Sequence, residues 1–87
     1  MMTVMATHDV DDVKHWLASP KRAEFFNAHG MTVREFVDPA GSNRVGVLIG
    51  NVPDMDTLAA ALQTPAAAAA MEHDGVHPDT IVMLVES

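Results

Sequence analysis

Histidine is the side chain most able to act as a base, an acid or a metal ligand near neutral pH, and this chain has five. His8 alternates with Val4 and Ala6 in an apolar run, so the three side chains should share one face of a strand. If helices cover that face, His8 lies at the edge of the core, close to Trp16. We therefore expect His8 to act as a catalytic base. The alternative is a partly buried structural histidine that a neighbouring carboxylate caps.

A second pair of histidines, His73 and His77, has the spacing of a helical zinc motif. Gly75 and Pro78 would interrupt a helix through both, so that geometry is not available and we expect no metal site. His73 beside Asp74 is expected to line a substrate pocket at the end of a helix. The alternative is a helix-end cation that offsets the negative end of the dipole.

Three carboxylates, Asp9, Asp11 and Asp12, form a cluster of the kind that can hold Mg²⁺ or Ca²⁺. The segment lacks the glycine turn and the distal glutamate of a calcium-binding loop. Asp54 and Asp56 recur at the equivalent place before a later helix. Capping of a helix N-terminus explains both groups, so we interpret these residues as structural.

Large apolar side chains at helical spacing could line a pocket for an aromatic ligand: Trp16, Phe25, Phe26 and Met71. The alternative is ordinary core packing. The two interpretations are compatible, because ligand pockets are mostly apolar with few polar groups. We expect Trp16, Phe26, Met71 and His73 to contact a substrate.

Charge and composition exclude several classes of protein. The formal net charge of −7 argues against nucleic acid and against an anionic membrane surface as partners. The absence of cysteine excludes disulfides, thiolate nucleophiles and zinc–thiolate sites. No segment resembles a signal peptide or reaches the ~20 apolar residues of a membrane span. We expect a cytoplasmic protein that uses no cofactor.

An internal repeat organises the chain, since Leu17-Ala18-Ser19-Pro20 is echoed by Leu62-Gln63-Thr64-Pro65 at a constant offset of 45 residues. The two pseudo-repeats cover about residues 3–38 and 45–86 of a single domain, 1–87. Each is predicted as a strand, a helix broken at the Ser-Pro or Thr-Pro step, and a strand. The predicted strands are Thr3–His8, Met31–Val37, Val45–Val52 and Thr80–Val85.

The order βαββαβ predicts an α+β fold of ferredoxin-like type, with a four-stranded antiparallel sheet and helices on one face. The first helix is predicted to begin among the acids at 9–12. Its apolar face is expected to hold Val10, Val13, Trp16 and Leu17. Gly46 and Gly50 share one face of the third strand and mark a bulge or a close approach by another group.

Both faces of the predicted sheet carry apolar side chains. In the last strand Ile81, Met83 and Val85 point one way, while Val82 and Leu84 point the other. An exposed apolar sheet face of this size usually marks an interaction surface. We expect a homodimer through the sheet faces.

This order of elements, with a two-sided apolar sheet, resembles the dimeric α/β barrel superfamily, which includes antibiotic-biosynthesis monooxygenase-like proteins. Ser19-Pro20 at a helix start and Ala69-Ala70-Met71-Glu72 before Asp74-Gly75-Val76 are similar to small members of that group. The monooxygenase-like members use an Asn–Trp pair. Trp16 could be the tryptophan, but no motif maps an asparagine of this chain onto the other position.

The resemblance implies a small-molecule-binding dimer that acts as a cofactor-independent monooxygenase or isomerase on an aromatic or polyketide-like substrate. One alternative is a non-catalytic dimeric stress-response or accessory module. A second alternative is histidine-dependent haem or metal binding, although no segment maps onto the axial histidine of the haem-degrading members.

Overall fold

A computed structural model describes residues 1–87 as four strands and four helices, with both helical units broken in two. In chain order the elements are β1 (Met2–Asp9), α1 (Val13–Ala18), α2 (Lys21–Ala28), β2 (Thr32–Val37), β3 (Arg44–Val52), α3 (Met55–Leu62), α4 (Pro65–Asp74), a 3₁₀ turn (Pro78–Thr80) and β4 (Val82–Val85).

The four strands form one antiparallel sheet in the order β2-β3-β1-β4. Met5 in β1 lies opposite Leu48 in β3 and Leu84 in β4. The two central strands, β1 and β3, are thus the first strand of each half of the chain. The ferredoxin-like α+β fold that the sequence predicts is confirmed.

Helix α1 begins later than predicted. The Asp12 carboxylate accepts hydrogen bonds from the backbone N–H groups of Lys14 and His15, and it is therefore the N-cap. Val10 is not in the helix, because its backbone forms an antiparallel bridge with Val76. Leu17 was expected on the apolar face but is 46% exposed.

The second helical break has the residues that the sequence predicts at the start of α4. Thr64 caps α4 by accepting from the N–H of Ala67, and Pro65 occupies the first turn. Gly75 ends the helix with a left-handed φ of 71°. In the first unit Pro20 itself is the N-cap, although Ser19 Oγ accepts from the N–H of Lys21.

The last strand is shorter than predicted. Thr80 lies in the 3₁₀ turn, where its hydroxyl donates to the carbonyl of His77 and accepts from the N–H of Asp9. These two bonds hold Thr80 out of the strand ladder, so β4 begins at Val82.

The core lies between the sheet and the helices, where Trp16 and Leu58 pack on Val4, Val47 and Ile49. The bulge and the close approach expected at the glycines of β3 are found at Gly50. The register between β1 and β3 shifts near this residue. A Cβ on Gly50 would lie 2.5 Å from Thr32 Oγ1, whereas one on Gly46 would make only ordinary contacts.

The opposite face of the sheet carries exposed apolar side chains. Phe36, Val82 and Leu84 are 41%, 48% and 61% exposed. They lie beside Met5 and Leu48 on that face. None of the helices has the length and apolar character to cross a membrane.

Candidate functional site

A cavity of about 260 Å³ lies between the helices and the covered face of the sheet. Thirteen of its sixteen lining residues are hydrophobic, and the other three are His8, Arg22 and Asp74. An apolar cavity with a few convergent polar groups is the usual form of a small-molecule site.

His8 reaches this cavity from the end of β1, because it shares the covered face with Val4 and Ala6. Its side chain is 6% exposed and meets Trp16 edge-on, with ring centroids 5.9 Å apart. Burial lowers the pKa of His8 below its usual value, and the charges of Arg22 and Arg44 lower it further against the opposing effect of Asp9. The imidazole is therefore neutral near pH 7.

Arg22 is the functional candidate that the sequence reasoning missed. It is 7% exposed, and its guanidinium lies 3.8 Å above the centre of the Trp16 ring. Nη1 donates to Asp74 Oδ2 at 3.3 Å, while Nη2 donates to Glu35 Oε2 and to the carbonyl of Trp16, both at 3.1 Å. Its spacing in the sequence indicated this position, because residue 22 falls on one helical face with the phenylalanines at 25 and 26.

Three buried nitrogen atoms around this cavity have no hydrogen-bond partner within the protein: His8 Nδ1, Trp16 Nε1 and Arg22 Nε. A buried polar group without a partner costs about 1–3 kcal/mol. The three residues are neighbours, since Trp16 contacts both His8 and Arg22. The three unsatisfied atoms thus belong to one cluster of buried side chains.

The other predicted site residues divide between the cavity and the surface. Phe26 and Met71 line the cavity together with Trp16. The structure does not bring His73 into it. His73 lies at the surface, where its Nδ1 is 2.9 Å from Asp74 Oδ1 and its ring centroid is 5.2 Å from that of His15.

The aspartates before α1 have separate structural roles. Asp12 caps the helix, Asp9 pairs with Arg44 at 3.4 Å, and Asp11 accepts from His77 Nε2 at 2.5 Å. The hydrogen bond to Asp11 raises the pKa of His77 above its usual value.

No protein-family profile matches the chain, and no curated protein sequence matches it. Solved structures do match. An antibiotic biosynthesis monooxygenase superposes with a TM-score of 0.63 at 15% identity, covering 100% of this chain and 97% of that one. An antibiotic biosynthesis monooxygenase-like protein from Deinococcus radiodurans gives 0.55 at 10% identity, covering 100% and 91%. A conserved protein of unknown function from Bacteroides thetaiotaomicron gives 0.52 at 14% identity, covering 98% and 92%.

At these identities the likeness concerns the fold. The fold that the sequence resemblance implies is confirmed. The chain has the ferredoxin-like fold of the antibiotic biosynthesis monooxygenase-like proteins.

Proposed function

We propose that this protein binds an aromatic or polyketide-like molecule in the cavity between its helices and its sheet. We propose further that it acts on this molecule as a cofactor-independent monooxygenase or isomerase. The carrying observation is the apolar cavity of about 260 Å³, which is lined by 13 hydrophobic residues together with His8, Arg22 and Asp74. The name of one structural neighbour, an antibiotic biosynthesis monooxygenase, supports the choice of reaction class.

The chemistry starts with His8. Its neutral imidazole can take a proton from a carbon next to a carbonyl group, and the electron pair then moves to the carbonyl oxygen. The positive charge of Arg22, which also lines the cavity, would stabilise the resulting enolate oxygen.

Two outcomes follow from such an enolate. If His8 returns the proton to a different carbon, the product is an isomer. If molecular oxygen is the oxidant, a CH₂ group becomes a carbonyl and the second oxygen atom leaves as water. Neither outcome requires a cofactor.

The proposal includes a homodimer through the open face of the sheet. Phe36, Val82 and Leu84 give this face an apolar surface that no element of the chain covers. Because the cavity lies on the other side of the sheet, a second copy would not block it. Native mass spectrometry would detect the dimer, and a monomer at micromolar concentration would contradict it.

Hydrogen exchange into an aromatic ketone tests the enzyme proposal. In D₂O the protein should accelerate deuterium incorporation next to the carbonyl, as followed by proton NMR, or should consume oxygen in an electrode. His8→Gln should abolish the effect, while His15→Ala, which alters an exposed histidine, should not. Ligand binding without exchange or oxygen uptake would favour the non-catalytic accessory module.

A further inference from the structure

We propose that His15 and His73 form a binding site for a divalent transition-metal ion such as Zn²⁺ on the surface of the protein. The two residues are 58 positions apart in the chain, and the fold brings their ring centroids within 5.2 Å of each other. Neither histidine lines the cavity. The metal site is therefore separate from the proposed small-molecule site and does not depend on its function.

Hydrogen bonds fix which ring nitrogen of each histidine is free. His15 Nε2 lies 2.7 Å from the carbonyl oxygen of His73, and His73 Nδ1 lies 2.9 Å from Asp74 Oδ1. Carbonyl and carboxylate oxygens can only accept, so both of these nitrogens carry a proton. Each neutral ring therefore keeps a lone pair on its other nitrogen, which is Nδ1 in His15 and Nε2 in His73.

Metal-binding histidines usually have this pattern of hydrogen bonds. Such a histidine almost always donates its other ring N–H to a carboxylate or a backbone carbonyl, which orients the ring and makes the ligating nitrogen more basic. His73 donates to a carboxylate, and His15 donates to a backbone carbonyl. The carboxylate is held in turn by the buried Arg22, and Ser19 Oγ lies 3.4 Å from the same His73 nitrogen.

The spacing of the two rings fits a single ion. Metal–nitrogen bonds of about 2.0–2.1 Å put the centroids of two imidazoles about 5 Å apart on a tetrahedral ion, and the observed separation is 5.2 Å. Both side chains are exposed, so an ion and its water molecules can reach them. No three histidine, cysteine or acidic side chains are grouped to hold a metal. Water must therefore complete the coordination.

A bound ion would join α1 to α4. The unfolded chain does not hold these two rings together, so the ion binds the folded state preferentially. Zn²⁺ should therefore raise the melting temperature of the protein, and the rise should grow with Zn²⁺ concentration. The same titration of His15→Gln should give a much smaller rise.

Calorimetric titration with Zn²⁺ near neutral pH tests the site. We expect one ion per chain. His15→Gln and His73→Gln should each lower the affinity at least about tenfold, since loss of even a hydrogen-bond partner of a ligand costs 10–100-fold. His29→Gln and His77→Gln change histidines that make other contacts, and they should leave the affinity unchanged.

Nitrogen NMR of the histidine rings checks the tautomers. Without metal, His73 should carry its proton on Nδ1 and His15 on Nε2. Zn²⁺ should then shift the signals of His73 Nε2 and His15 Nδ1, the two nitrogens that bind it.

Three results would overturn the metal site. They are no binding at millimolar Zn²⁺, the opposite tautomer in either ring, and an affinity that both glutamine variants of the pair retain. Because the cavity lies elsewhere, each of these results would leave the proposed function standing.

Discussion

The two halves of the chain share one plan of strand, broken helix and strand, but they line the cavity with different side chains. At the offset of 45 residues, Arg22, Phe25 and Phe26 correspond to Ala67, Ala70 and Met71, and all six line the cavity. The first half contributes bulk and polarity, and the second half contributes small residues that leave space.

The same contrast in side-chain size holds at another pair of corresponding positions. Trp16 corresponds to Ala61, and both are buried. The exception is Asp74, a buried acid from the second half that corresponds to the exposed His29. Asp74 is the partner of Arg22, so a buried ion pair joins the two halves. A repeated backbone can thus form an asymmetric site when side-chain size and charge differ between the repeats.

The largest expected effect comes from removing the charge that the first half contributes. Arg22→Met should lower the free energy of unfolding by about 3 kcal/mol, because the buried Asp74 carboxylate loses its permanent cation and keeps only the hydrogen bond to His73. Urea denaturation measures this change. Lys21→Met, at the adjacent exposed position, should stay within about 0.5 kcal/mol of the wild type. Equal stability of the two variants would show that the ion pair contributes nothing.

A larger side chain in the space that the alanines of the second half leave should reduce ligand affinity with little effect on stability. Ala70→Leu places a larger side chain at the cavity wall, so ligand affinity should fall at least about tenfold while stability changes by less than about 1.5 kcal/mol. Ala69→Leu, on the exposed side of the same helix, should leave affinity unchanged. Retained affinity in Ala70→Leu would place the ligand elsewhere.

The side-chain hydrogen bonds at the starts of α2 and α4 should contribute differently to the stability of the protein. Thr64→Ala removes the side-chain oxygen that caps α4 and should cost about 1 kcal/mol. Ser19→Ala removes a bond to the N–H of Lys21 in a helix whose N-cap residue, Pro20, makes no side-chain hydrogen bond, and it should cost only about 0.5 kcal/mol. Thermal unfolding of the two variants, with melting temperatures in that order, checks the ranking.

The smallest effect is a contrast in pH dependence between a histidine of each half. Because burial lowers the pKa of His8, the unfolded chain binds the proton more readily, and stability should fall as pH drops below about 6.5. Because Asp11 raises the pKa of His77, its contribution is complete below about 6.5 and is lost as pH rises through the folded-state pKa.

One substitution at each histidine distinguishes their contributions to the pH dependence of stability. His8→Leu should remove the acid-side loss of stability, and His77→Ala should remove the alkaline-side loss. Chemical denaturation across pH 5 to 8 measures both. The same pH profile in both variants would contradict the assignment.

Much of the fold follows from local rules. The alternation of Val4, Ala6 and His8 places the histidine on the covered face, and the Thr64-Pro65 step predicts a helix start. The residues at which helices and strands begin and end are harder to predict. Thr80 leaves the predicted strand because its hydroxyl accepts from the N–H of the distant Asp9 and donates to the carbonyl of the nearby His77.

The candidate site depends on contacts that the sequence order does not reveal. Arg22 is buried because Asp74, 52 residues away, and Glu35, 13 residues away, both bind it. His73 was expected in the pocket, but successive residues of a helix point in directions about 100° apart, and the neighbouring Asp74 takes that place. Long-range pairing of this kind leaves no local pattern in the chain.

The central claim is that the cavity binds an aromatic small molecule, and Trp16 reports on it directly because it lines the cavity and is the single tryptophan of the chain. A ¹⁵N-labelled sample should give one indole N–H resonance. On titration with 2-acetylnaphthalene, this resonance should shift and saturate, because an aromatic ring bound in the cavity changes the magnetic environment of the indole. A resonance that stays fixed while the ketone binds would contradict the account.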